Sequence, residues 1–117
     1  MKILSRLQTV ADKRPNPLKV GDVLSCVWGY SMIIVDFYRV TKVLPSSVKI
    51  EKLQSKIASG DSFQGTCVPT DKAVKSDVDG RTYRVLFDSK GEPALKISSY
   101  AYAHPWDGRP KMFDSMD

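Results

Sequence analysis

The chain has 117 residues, of which 42% are hydrophobic and 26% charged, with a net charge of +5. That length suits one domain, residues 1–117, with one core large enough to stand without disulfide or metal staples. The composition is that of an ordinary soluble globular protein, which excludes a disordered chain, and no apolar run approaches the ~20 residues needed to cross a bilayer.

In chain order, residues 1–13 place Ile3, Leu4, Leu7, Val10 and Ala11 at spacings of three and four, so a short amphipathic helix is expected there. Pro15-Asn16-Pro17 stops it, because proline lacks a donor and turns the preceding residue from helical angles. Residues 1–14 are thus a helix or basic arm, and residues 20–111 a β-rich core. The core opens at Lys19-Val20-Gly21-Asp22, and residues 20–53 are rich in β-branched and aromatic residues cut by turn chemistry. Strands are expected at about residues 23–28, 33–43 and 48–53. In the third, Val48 and Ile50 alternate with Lys49 and Glu51, giving one buried and one wet face. In the second, Val35 and Phe37 fall in one phase and Tyr38 and Val40 in the other, which demands a bulge or burial on both faces.

Residues 54–79 are the least periodic part, with a short strand at Thr66-Cys67-Val68 before Pro69, and read as a long excursion. Asp79-Gly80 is a turn signal, followed by a strand over residues 82–87 with Tyr83, Val85 and Phe87 on one face. Ser89-Lys90-Gly91-Glu92 turns the chain into residues 94–98, with Leu95 and Ile97 inward and Lys96 outward. Prolines and a glycine then preclude a long regular element over residues 98–110. The fold class is mainly β, a β-rich α+β protein: a small bent antiparallel β-barrel or roll, SH3-like, with a short N-terminal helix.

The two cysteines, Cys26 and Cys67, lie in apolar strand-like contexts and are expected as buried free thiols in a reducing compartment. Residues 1–14 lack the apolar region and cleavage site of a secretory signal, so an intracellular setting is expected. The positive charge is one-sided: residues 1–57 hold ten Lys or Arg against four Asp or Glu, and residues 58–117 hold eight against nine. Such a bias concentrates anions such as nucleic acid, although solvated lysines on strand faces give the same count.

Trp28-Gly29-Tyr30, then Val35-Asp36-Phe37-Tyr38-Arg39-Val40-Thr41, then Lys96-Ile97-Ser98-Ser99-Tyr100-Ala101 and Trp106-Asp107-Gly108-Arg109-Pro110-Lys111, resemble in order a family of small proteins encoded by bacteriophages and mobile elements. The likeness runs over about residues 19–111. It implies a phage or mobile-element origin and a cytoplasmic place in the host cell, and it names no activity, since none is established for the family. Between the aromatic blocks that family is typically polar, whereas this chain has Ser31-Met32-Ile33-Ile34. The tail also lacks the closing aromatic residue expected of the family.

An apolar turn at Tyr30, Met32, Ile33 and Ile34 is either a partner-binding patch or a strand running into the core. One histidine and two dispersed cysteines do not make a zinc set, and neither a Walker loop nor a dinucleotide fingerprint is present, so no cofactor is expected. His104 is the one ordinary base near neutral pH, with Asp36, Asp107, Ser98 and Ser99 reaching it only by folding. A non-enzymatic accessory protein that binds a host protein through residues 30–34 is the leading expectation. The alternative is a nucleic-acid-binding β-barrel in which Tyr100 and Tyr102 stack bases and Arg39, Lys42, Lys49 and Arg109 track phosphates. Against it stands a core filled by Trp28, Tyr38 and Trp106, with Asp36 and Asp107 capping turns or accepting ring donors. Small-molecule or nucleotide binding in a Trp and Arg cleft is a further alternative; no membrane partner is expected.

Overall fold

The computed structural model describes residues 15–114; the expected helix over residues 1–13 lies outside them. Among the described residues there are nine strands: β1 Val23–Trp28, β2 Ile34–Val43, β3 Ser47–Gly60, β4 Gln64–Val74, β5 Thr82–Arg84, β6 Leu86–Phe87, β7 Pro93–Ser98, β8 Ala101–Pro105 and β9 Lys111–Asp114. They form one antiparallel sheet in the order β6-β7-β8-β1-β2-β3-β4-β9, with β5 pairing β3 off this path. No helix among the described residues is long and apolar enough to cross a membrane.

The sheet does not close into a barrel, because its outer strands β6 and β9 are not paired with each other. It bends instead to both sides of β2. On one face Tyr38 and Val40 join Leu24, Cys26, Val48, Ile50, Leu95 and Ala103 in the larger core. On the other, Val35 and Phe37 join Leu53 and Cys67, with Trp106 and Phe113 packed against them. The two phases of β2 are therefore both buried. Of the two alternatives that the pattern left, burial on both faces accounts for it, since the register is unbroken from Phe37 to Val40; a bulge follows only between Val40 and Lys42, where the strand leaves the cores.

The irregular excursion expected at residues 54–79 is instead mostly strand. β3 runs on to Gly60, turns through Asp61, whose Oδ1 accepts the N–H groups of Phe63 and Gln64, and returns as β4. Residues 54–60 are exposed throughout, so no alternation betrays them. Pro69 is tolerated in β4 because β9 covers that strand only from Gln64 to Cys67, and a register shift on the β3 side lies beside it. Residues 98–110 likewise hold β8, whose Ala101 and Ala103 are buried while Tyr102 and His104 are exposed. The strand expected over residues 82–87 is split at Val85, whose N–H leaves the ladder for the Ser46 carbonyl. Before β1, Asn16 Nδ2 donates to the carbonyls of Leu44 and Ser47, tying the incoming chain to the β2–β3 turn.

Candidate functional site

The turn between β1 and β2 depends on Gly29. Its φ of 129° suits glycine alone, and a Cβ there would strike the Met32 carbonyl oxygen. The tight turn leaves Tyr30 fully exposed and Ile33 39% exposed. It also aims Ile33 at the end of β9, where Ile33 and Asp114 exchange both backbone hydrogen bonds at 2.7 and 2.9 Å. Thus β9, held on its far side by β4, returns to the start of β2 and folds the β3–β4 wing over the second core.

A cleft follows from this return. The β2–β3 ladder ends at Phe37 and Leu53, and the strands part beyond it while β3 stays paired to β4. The wedge has a volume of about 260 Å³ and is lined by Ile33, Ile34, Val35, Ile57, Cys67 and Phe113, with Ser55, Lys56 and Ser62 at its polar margin. Of the four turn residues singled out in the sequence, Ile33 and Ile34 line this wedge; Tyr30 and Met32 belong to the same turn but do not. Ile57 and Phe113, which also line it, carry no signal in the sequence. Their partnership rests on β9 reaching back across the sheet, for which no local pattern exists.

The alternative set is dispersed. Arg39 is engaged by Glu51, whose Oε2 accepts from Nη2 at 2.7 Å and Nε at 2.8 Å, and Nη2 also donates to the Asp71 carbonyl. Lys42 and Lys49 stand opposite each other across β2 and β3. Tyr100 and Tyr102 belong to the β7–β8 hairpin, with the Tyr100 ring 5.8 Å from that of Trp28. Arg109 lies in the β8–β9 turn, where its carbonyl accepts from Trp106 Nε1 and its N–H donates to Asp107. These residues are therefore spread over the β7–β8 hairpin, the β8–β9 turn and the ends of β2 and β3 next to their turn, rather than gathered at one site.

His104 pairs in register with Ser25 on β1, while Asp36 points into the larger core's side of the sheet, accepting from Trp28 Nε1 at 2.8 Å and lying 3.4 Å from Lys52 Nζ. Asp107 caps the β8–β9 turn, and Ser98 Oγ accepts from the Tyr100 N–H. These residues are thus held by separate partners rather than gathered around the imidazole. Cys26 and Cys67 are free and buried, one in each core. Burial, with a smaller contribution from the Asp36 carboxylate, pushes the Cys26 thiol up to about 11 and raises that of Cys67 as well. Among the described residues no group of three or more His, Cys, Asp or Glu side chains is placed to hold a metal ion. Compared with protein-family models, curated proteins and solved structures, the chain matches none.

Proposed function

We propose that this chain is a non-enzymatic accessory protein of a bacteriophage or mobile element, a small bent β-roll of the SH3-like kind that acts in the host cytoplasm by binding a host protein. The observation that carries this reading is the apolar wedge between β2 and β3. Its occupant is an extended apolar segment of the partner, laid along residues 55–60 of β3. Among the described residues β3 is paired there only on its β4 side, so the side toward β2 offers a strand edge beside apolar pockets, the two elements of recognition by strand addition. Ile33 and Ile57 at the mouth supply the water-excluding contacts.

The test is capture from host lysate by the tagged full chain, in parallel with Ile33→Asp and Ile57→Asp, followed by reconstitution with the purified partner. Both substituted positions are over a third exposed, so the variants should keep their far-UV signature. The expected result is a protein retained by the unaltered chain, lost by both variants and bound directly when purified, with little dependence on salt. Identical capture by all three chains would sink the reading.

A further inference from the structure

A second surface lies at the other end of β2, on the face opposite the larger core. Between Val40 and Lys42 the β2–β3 register slips, with Val40 opposite Ile50 and Lys42 opposite Lys49, so that Thr41 is the extra residue. In an unbroken ladder Lys42 would share the side of Val40, which is buried. The bulge turns it to the side of Arg39 and sets it directly against Lys49, the kind of re-aiming that bulges perform. On the far side of β3, Ser47 pairs with Arg84 and Lys49 with Thr82, so Arg84 joins the same face one strand further on. One row away the sheet neutralises its charge by placing Arg39 against Glu51. No ion pair engages Lys42, Lys49 or Arg84 among the described residues. Like charges directly opposite in an antiparallel pair oppose folding, so the arrangement costs stability unless an anion covers it.

We propose that this face binds the phosphodiester backbone of a nucleic acid, with Lys42, Lys49 and Arg84 each taking a phosphate and the Ser47 and Thr82 hydroxyls as further donors. Three cations on three adjacent strands span ~10 Å at ~4.8 Å per strand, about three steps of a backbone that rises ~3.4 Å per phosphate, so each cation can meet a different phosphate of one strand. That repeat favours a polyanion over a single small anion. The aromatic residues of the three strands, Phe37, Tyr38 and Tyr83, are buried or half-buried on the cores, so no ring is offered to a base. Recognition is of the backbone and independent of sequence. The cation set differs from the one the sequence suggests, in that Arg39 is spent on Glu51 and Arg84 enters through β5.

The test is fluorescence anisotropy of the full chain with labelled oligothymidylate and a labelled mixed-sequence duplex across a salt series. The expected result is an affinity of about micromolar at low salt, with log K falling against log salt at a slope of about −2 for the single strand, the value for three phosphates. Lys42→Glu should weaken binding at least tenfold and flatten that slope. Its unfolding midpoint should hold or rise, because the new carboxylate faces Lys49. Lys96→Glu makes the same change in net charge on β7, a strand that carries none of the three cations, and should leave binding within about twofold, while Ile33→Asp should leave it unaltered. Absence of binding at low salt, or equal losses in Lys42→Glu and Lys96→Glu, would overturn the proposal. The last of these would mean that net charge alone attracts the probe.

Discussion

Replacing Asp36 by alanine removes two contacts from the middle of the sheet at once. Its carboxylate accepts the Trp28 Nε1–H at 2.8 Å and lies 3.4 Å from Lys52 Nζ, and only 17% of its side chain is exposed. A hydrogen bond to a charged acceptor is worth ~1.5–3 kcal/mol. The lysine, about a third exposed, adds no more than ~1 kcal/mol once solvent screening is allowed for. Asp36→Ala should therefore cost ~2–4 kcal/mol, and Asp36→Asn, which keeps an acceptor for the indole, about half as much. Trp28→Phe removes the donor and keeps most of the ring. In the double variant with Asp36→Ala the costs should fall short of their sum by ~1–2 kcal/mol, the coupling of groups in direct contact. Urea unfolding followed by far-UV circular dichroism measures all four chains without relying on the tryptophan. Additive costs, or an Asp36→Ala loss below ~0.5 kcal/mol, an ordinary surface effect, would refute the role assigned to this bond.

Gly29→Ala should lose ~1–3 kcal/mol, the scale of a strained backbone conformation, because its added Cβ meets the Met32 backbone. Gly80→Ala, at a φ of 78° with open space around it, should lose less, and equal losses in thermal melts would contradict the close approach. Cys26 gives a pH dependence. Its thiol is raised from an ordinary value of 9.0 to about 11, so the folded chain holds a proton that the unfolded chain releases. That stability is complete below pH 9 and is lost as pH rises through about 11, and burial of the Tyr38 hydroxyl pushes the same way. Cys26→Ala should blunt the alkaline fall of stability measured by urea titration; an unchanged profile would remove Cys26 from its cause. At pH 8 in native buffer the thiol should resist alkylation until the chain is unfolded.

What was legible in the sequence followed burial. Val23–Trp28 is legible because Gly21 and Gly29 punctuate it and Leu24 to Cys26 are buried. Leu95 and Ile97 are legible as inward and Lys96 as outward from their alternation, although Ala94, in the phase of Lys96, is buried as well. The outer half of β3 has no signature in the sequence because residues 54–60 are exposed and so have no period. Strand β8 escaped because its inward residues are alanines, small enough to sit against Cys26 and Leu95 but weak as a hydrophobic signal beside Tyr102. At the cleft, Ile33 and Ile34 were visible as apolar residues in a turn, whereas Ile57 and Phe113 reach them only through the Ile33–Asp114 bridge. Arg84 depended in the same way on β5 pairing with β3.

Strand β2 explains why the two proposed surfaces can be tested apart. Its central residues are committed to packing, Val35 and Phe37 to one core and Tyr38 and Val40 to the other, so substitutions there act on the whole sheet. Only its ends are free of that duty. The start, at Ile33 and Ile34, diverges from β3 and opens the apolar cleft; the end, past the bulge, carries Lys42 against Lys49. At ~3.3 Å per residue these ends stand ~25–30 Å apart, beyond the range at which substitutions share partners and beyond the ~10 Å over which exposed charges act in ~0.1 M salt. A protein segment in the cleft and a nucleic-acid backbone on the cationic face can then be held at once. The doubly buried middle of β2 sets the separation of the two proposed surfaces, so occupying both together would require no motion within the sheet.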